Sequence, residues 1–225
     1  MLSWLRLKHY WLILLAQIFL LFIAAFMVHH TVLYILFATA LLGIFGSVIA
    51  NIWESSLPRI LGLISGAVAM ISGFLYVIPG VTFIEVEISL IICCFSYAIF
   101  ILIAVFAIAK HVFITDRVTV DRIVGSICIY LLIGMFFAFI FAALSLFVPE
   151  TFDIKGKIMS LSIVGLRDFL YFSYSTLTTI GYGDMLPTHP FSKMLACIEG
   201  MVGPIYLAIM VARLVGMHIT QSKRS

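Results

Sequence analysis

The chain has 225 residues, of which 64% are hydrophobic and only 10% are charged, and its mean hydropathy is +1.25. A water-soluble domain of this length carries far more polar surface, so the composition predicts an all-α integral membrane protein. The net charge of +3 comes from basic residues at the ends of apolar runs rather than from a basic patch, which argues against a nucleic-acid partner.

Six apolar runs are long enough to cross a bilayer, for which a helix needs about 20 apolar residues. The first is too long for the apolar core of a signal peptide, so we interpret it as a span. A seventh apolar segment, at 160–180, is short and interrupted, and it predicts a re-entrant segment shielded from lipid. The six predicted spans are residues 10–28, 31–50, 59–79, 84–109, 121–148 and 190–217.

The basic residues predict the orientation of these spans, because lysine and arginine are enriched in cytoplasmic loops. The thirteen basic residues divide into nine at one set of span ends and four at the other. The larger set should be cytoplasmic, which puts both termini inside and the 149–166 connection outside. The nine are Arg6, Lys8, Arg59, Lys110, Arg117, Arg122, Arg213, Lys223 and Arg224, and the four are Lys155, Lys157, Arg167 and Lys193.

The first four spans form a predicted N-terminal membrane domain, residues 1–110. A voltage sensor needs arginines at three-residue spacing within a span, because moving their charge through the field drives gating. The fourth span, 84–109, contains no lysine or arginine, so the sequence predicts no intrinsic voltage sensor. Residues 111–120 are a predicted cytoplasmic linker to a C-terminal domain, residues 121–225.

The C-terminal domain contains the sequence Thr-Thr-Ile-Gly-Tyr-Gly-Asp at residues 178–184. Glycine tolerates positive φ at little steric cost, so glycine at alternate positions lets successive carbonyl groups point the same way. Four such segments around an axis would stack rings of carbonyl oxygens that replace the water shell of a cation. The Thr179 hydroxyl could add a further ring at the inner end.

These residues resemble the potassium channel family, whose filter reads T-[VI]-G-Y-G-[DN], and the match runs unbroken from Thr179 to Asp184. The resemblance covers residues 121–225. It implies a homotetramer, since one filter strand per chain cannot enclose an ion. It also implies K+ sites at Thr179, Ile180, Gly181 and Tyr182, within a filter of Thr178, Thr179, Ile180, Gly181, Tyr182 and Gly183.

The same resemblance implies the layout of the C-terminal domain. Asp184 would lie at the outer mouth, either as a ring of carboxylates that concentrates cations or bonded back to the pore helix. Asp168 suits the positive end of the pore-helix dipole. The predicted elements are an outer helix at 121–148, a turret at 149–166, a pore helix at 167–178, the filter at 179–184 and an inner helix at 190–217.

The inner helix carries three candidate hinge residues, Gly200, Gly203 and Pro204. Proline inside a helix removes a hydrogen bond and bends the axis, and Gly203 falls where related inner helices have a hinge glycine. A bend here could open or close the cytoplasmic mouth. The alternative is that glycine and proline are simply common in membrane helices.

Glu199 is an acid in the middle of the last span, where a carboxylate is costly and faces protein or water. One reading is a ring in the channel cavity that attracts K+ or blocking polyamines. The other is a hydrogen bond to the pore helix, in protonated form, with Ser175, Thr176 or Thr178 as its partner. The sequence favours the second reading slightly.

The sequence therefore predicts a K+-selective channel that conducts passively, is not voltage-gated and lies in a plasma membrane, the prokaryotic inner membrane being the favoured one. No catalytic constellation occurs in the spans, so an enzyme is not expected, and no cofactor is expected beyond K+ as permeant ion. Expected partners are lipids and identical subunits, and a separate regulatory subunit stays open. The alternatives are a weakly selective cation channel and the pore subunit of a potassium uptake transporter.

Overall fold

The computed structural model describes residues 9–26, 56–75, 83–113, 119–148, 150–154, 157–158 and 165–222, and these are mostly helical. The predicted second span, 31–50, lies outside the described residues. The other five predicted spans each overlap one helix. The helices are α1 (His9–Phe26), α2 (Ser56–Leu75), α3 (Phe83–Phe113), α4 (Val120–Phe147), α5 (Leu166–Leu177) and α6 (Pro190–Ser222).

Three helices of the described chain are long and apolar enough to cross a membrane. Their apolar stretches are Ile88–Phe113, Val120–Phe147 and Pro190–Gly216, of 26, 28 and 27 residues. Two shorter apolar helices, Tyr10–Ala25 and Ile60–Ser72, accompany them. Because the helix rises about 1.5 Å per residue, each of the three longer stretches exceeds the hydrocarbon thickness of about 30 Å.

Three short strands, β1 (Phe152–Ile154), β2 (Lys157–Ile158) and β3 (Met185–Pro187), form an antiparallel sheet in the order β2-β1-β3. These short strands were not predicted, because strands of two or three residues carry no readable alternation. The mostly helical structure agrees with the predicted all-α membrane protein. In the register of β1 with β3, Asp153 lies opposite Leu186. The sheet therefore joins the segment before α5 to the segment that follows residues 178–184.

The N-terminal helices pack onto α4. Helix α3 lies against both α2 and α4, and α1 packs on α4 as well. The buried Gln17 side chain of α1 donates from Nε2 to the Cys128 carbonyl of α4 at 3.2 Å, and the Cys128 thiol donates to the Tyr10 carbonyl. Polar groups that cross between apolar helices in this way fix the relative position of the two helices.

Helix α5 is held between α4 and α6, and its first half rests on an aromatic cluster. Phe169 and Phe172 of α5 meet Phe141 of α4 and Phe152 of β1, and all four are buried. The ring centroids are 5.0 to 5.6 Å apart in edge-to-face arrangements, the geometry that aromatic quadrupoles favour. This cluster fixes the position of α5 relative to α4 and to the sheet.

Candidate functional site

Helix α5 begins with a carboxylate cap. The Gly165 N–H donates to Asp168 Oδ2 at 3.3 Å, and Arg167 Nε pairs with Asp168 Oδ1 at 3.2 Å. A carboxylate in the first turn stabilises the positive end of the helix dipole. Helix α5 runs from Leu166 to Leu177, one residue earlier at each end than the predicted 167–178.

The loop after α5 alternates in backbone conformation. Thr179, Gly181 and Gly183 have φ of +59°, +57° and +77°, whereas Ile180 and Tyr182 do not lie in the positive-φ region. The two glycines adopt positive φ without steric cost. For Thr179 the same region costs roughly 1–2 kcal/mol, so the surrounding contacts must stabilise this conformation.

Those contacts are backbone hydrogen bonds to the end of α5. Ile180 N and Gly181 N both donate to the Ser175 carbonyl, at 2.9 and 3.1 Å, and Thr179 N donates to the Thr176 carbonyl at 3.0 Å. All described peptides are trans, so the carbonyl preceding each N–H points the opposite way. The carbonyls of Thr178, Thr179 and Ile180 therefore point away from α5.

The loop is uncovered within a single chain. The Ile180 and Tyr182 side chains are 56% and 68% exposed, and the loop residues from Thr178 to Asp184 are all exposed. An apolar isoleucine and a tyrosine that are this exposed imply a surface that another molecule covers.

The far end of the loop is bonded back to α5. The Tyr171 hydroxyl lies 3.0 Å from each Asp184 carboxylate oxygen, and the Tyr171 and Tyr182 rings stack at 5.9 Å with an interplanar angle of 9°. Desolvation and the bond to Asp184 raise the pKa of Tyr171, so this hydroxyl keeps its proton at neutral pH. Asp184 thus bonds to α5, the helix that the sequence predicts as the pore helix.

Residues 127–219, which include α5, the loop and the spans on either side of it, match the family model described as an ion channel. Two curated potassium channels also match. The chain is 35% identical over 93 residues to two pore potassium channel a of Oryza sativa subsp. japonica, and 33% identical over 60 residues to two-pore potassium channel 1 of Arabidopsis thaliana. Residues 127–219 are thus similar to an ion channel family model and, in part, to potassium channels.

The matches leave most of each relative uncovered. The rice protein aligns with 41% of this chain but only 23% of its own length, and the Arabidopsis protein with 27% and 16%. The chain thus spans less than a quarter of either relative. No solved structure matches it. Both relatives are named as two-pore channels, whereas TTIGYGD occurs once in this sequence.

The candidate hinge glycines lie in different surroundings. A Cβ on Gly203 would lie 2.0 Å from the Leu177 carbonyl oxygen at the end of α5, whereas a Cβ on Gly200 would come no closer than 3.9 Å to Thr176 Cγ2. Gly203 is therefore needed for the close approach of α6 to α5, whether or not it also bends. Helix α6 continues through Pro204.

Glu199 lies inside its own chain, with 0% of its surface exposed. Its Oε1 is 2.5 Å from Ser173 Oγ, which lies 2.6 Å from the Gly134 carbonyl of α4. The predicted partners were wrong, because the hydroxyls of Ser175, Thr176 and Thr178 donate to carbonyls of α5 itself. A side chain buried within one chain is also not exposed to a cavity between subunits, which disfavours the cavity-ring interpretation.

Three further residues at this junction were missed by the sequence analysis. The Tyr130 hydroxyl donates to the Leu177 carbonyl at 3.2 Å, and the Tyr174 hydroxyl donates to the Leu131 carbonyl at 2.8 Å. A Cβ on Gly134 would lie 2.6 Å from Tyr174 Cε1, so a larger residue there would displace the Tyr174 ring. A glycine inside the apolar run 121–148 was the available signal for this close contact.

Arg213, in the C-terminal half of α6, contacts the last residue of α3. Its Nη2 donates to the Phe113 carbonyl, and its guanidinium lies 4.5 Å from the centroid of the Phe113 ring. A cation over an aromatic face is attracted by the ring quadrupole. Movement of this part of α6 would therefore be transmitted to α3 through the contact between Arg213 and Phe113.

Proposed function

We propose that the protein is a potassium-selective channel that conducts K+ passively through a filter formed by residues 178–183 of four identical subunits. The observation that carries the proposal is the loop backbone, with positive φ at alternate residues and amide N–H groups bonded to α5. Such a loop offers carbonyl oxygens to a dehydrated cation, with K+ at Thr179, Ile180, Gly181 and Tyr182.

Fourfold assembly is supported by the burial of the two spans that flank the filter. The most apolar stretch of α4 is 61% buried within the single chain, whereas that of α6 is only 11% buried. Helix α6 exposes large apolar residues along its length, among them Ile198, Met201 and Ile205. Contact with neighbouring subunits and with a central cavity would use this face, and it would also surround the exposed filter.

The proposed membrane arrangement has six spans, with both termini in the cytoplasm and Asp184 on the outer side. It rests on the six apolar runs and on the unequal distribution of basic residues. The membrane would be the plasma membrane, with the prokaryotic inner membrane favoured, and lipids would contact the outer helices. Because residues 84–109 lack lysine and arginine, voltage would not be the gating stimulus.

Gating would involve the inner helix at Gly200, Gly203 and Pro204. Of these, Pro204 removes one hydrogen bond from the helix ladder and is the position where the axis bends most easily. A stimulus could reach this segment through the contact between Arg213 and Phe113, or through a separate regulatory subunit.

The test is the reversal potential of the purified protein in a planar bilayer, with K+ on one side and Na+ on the other. We expect reversal near the K+ equilibrium potential. Gly181→Ala should abolish this selectivity, because alanine at a φ of +57° costs roughly 1–2 kcal/mol in every subunit. Among the described residues of a single chain, no atom lies within 4 Å of the added methyl group, so the backbone strain is not accompanied by a clash within the subunit.

Gly200→Ala is the matched control, since its methyl group meets only an ordinary contact. It should keep the wild-type reversal potential. Robust wild-type current that reverses near zero would reject selective conduction and establish the weakly selective cation channel instead.

A further inference from the structure

The junction of Glu199, Ser173 and Gly134 has one oxygen acceptor too many for a charged acid. Ser173 Oγ lies 2.6 Å from the Gly134 carbonyl oxygen and 2.5 Å from Glu199 Oε1. A hydroxyl has one proton to donate, and a carbonyl oxygen and an ionised carboxylate can only accept. Two oxygens this close need a proton between them, so two contacts require two protons.

The second proton can come only from Glu199. The serine hydroxyl donates to the Gly134 carbonyl, and the acid donates to the serine oxygen. The titratable side chains that interact electrostatically with Glu199 are Tyr130 of α4 and Tyr174 of α5, and both are phenols that donate to backbone carbonyls. No lysine or arginine of the described residues forms an ion pair with Glu199.

The other carboxyl oxygen gives an independent argument. Glu199 Oε2 is buried and has no hydrogen-bond partner among the described residues. An ionised carboxylate left half-satisfied in an apolar interior is far more costly than a neutral acid with one free carbonyl oxygen. The geometry is therefore that of a carboxylic acid.

We propose that Glu199 is a neutral carboxylic acid that donates its proton to Ser173, linking α4, α5 and α6, and that it acts as a positioning residue for the filter. The chain of contacts is short, because Ser173 is two residues before Ser175, whose carbonyl accepts the N–H groups of Ile180 and Gly181. The effect on conduction rests on the proposed channel function, whereas the protonation of Glu199 does not.

Infrared difference spectroscopy of the reconstituted protein at neutral pH tests the protonation. The wild-type spectrum minus that of Glu199→Gln should contain the C=O stretching band of a protonated acid. The control is Glu150→Gln, at an exposed glutamate, where the difference should lack the band of a protonated acid. Carboxylate bands in the Glu199 difference would overturn the proposal.

Bilayer recordings test the positioning role. Glu199→Gln keeps a donor for Ser173 and should retain wild-type K+ conductance and selectivity. Glu199→Leu removes one of the two bonds of the junction and Ser173→Ala removes both. Each variant should lower open probability or K+ over Na+ selectivity by roughly tenfold or more. Rescue by glutamine but not by leucine is the signature of a hydrogen-bonding role.

The possible results distinguish the role of Glu199 from the proposed K+ channel function. If Glu199→Gln conducts as poorly as Glu199→Leu, or if neither Glu199→Leu nor Ser173→Ala changes conduction, the positioning role is wrong. If Glu199→Leu does not fold, the infrared comparison still tests the protonation of Glu199, and Ser173→Ala still tests the positioning role. A wild-type channel without K+ selectivity would reject the proposed function and leave the infrared result standing.

Discussion

The two halves of the pore helix α5 are held by different chemistry. The first half rests on the aromatic cluster of Phe141, Phe152, Phe169 and Phe172, which contributes area and volume. The second half is held by single hydrogen bonds and by a glycine contact: Ser173 to Gly134 and Glu199, Tyr130 to Leu177, and Gly203 against Leu177. We therefore expect the first half to contribute most of the stability and the second half to position residues 178–184, the proposed filter.

The largest expected effect is in the aromatic half. Phe152→Ala removes a side chain that is 1% exposed and should lower the free energy of unfolding by about 3–5 kcal/mol. Thermal denaturation in detergent measures it. Channels that still assemble should keep wild-type selectivity, because the loop contacts to Ser175 and Thr176 are untouched. A loss of selectivity in assembled Phe152→Ala channels would contradict the division between the two halves.

A smaller effect on stability, with a larger effect on function, is expected at the glycine contact. Gly203→Ala puts a methyl group against the Leu177 carbonyl oxygen and should cost about 1–3 kcal/mol by forcing α6 away from α5. K+ over Na+ selectivity should fall in the same variant. Gly200→Ala is the control, and its better helix propensity should leave stability unchanged or raised by up to about 1 kcal/mol. Equal behaviour of the two variants would show that the close approach does not matter.

The smallest effect is expected at the outer end of the filter. Tyr171→Phe removes the exposed hydrogen bond to Asp184 but keeps the ring that stacks on Tyr182, so its effect on stability should be small. The expected change is faster loss of current during sustained opening, with the reversal potential unchanged. Asp184→Asn should give the same change, and the double variant should add little. Additive effects would mean that the two residues act separately.

The sequence alone predicts a feature correctly where that feature depends on one residue's own backbone or on a long apolar run. The family prediction from TTIGYGD is confirmed by the matches over residues 127–219, and α4 and α5 end within one residue of their predicted bounds. Positive φ at Gly181 and Gly183 follows from glycine itself. Positive φ at Thr179 does not, because it depends on the N–H groups that bond to Ser175 and Thr176.

What the sequence could not provide was the relative rotation and crossing of helices. The partner of Glu199 is Ser173 rather than a residue one turn later, since the choice depends on where α6 crosses α5. The strands β1 and β3 pair residues more than thirty positions apart, and neither segment is long enough to predict the other. The sequence suggested only a hinge role for Gly203. An added Cβ there would lie 2.0 Å from the Leu177 carbonyl oxygen, and this close packing depends on the relative position of two helices.

The contact between Gly134 and Tyr174 limits how this pore can change over evolutionary time. The tyrosine ring occupies the space where any larger residue at position 134 would put its Cβ. A larger residue at 134 requires the Tyr174 ring to move or to be replaced by a smaller side chain, and that replacement removes the hydroxyl that donates to Leu131. Among related sequences, a residue larger than glycine at 134 is expected together with a smaller residue at 174.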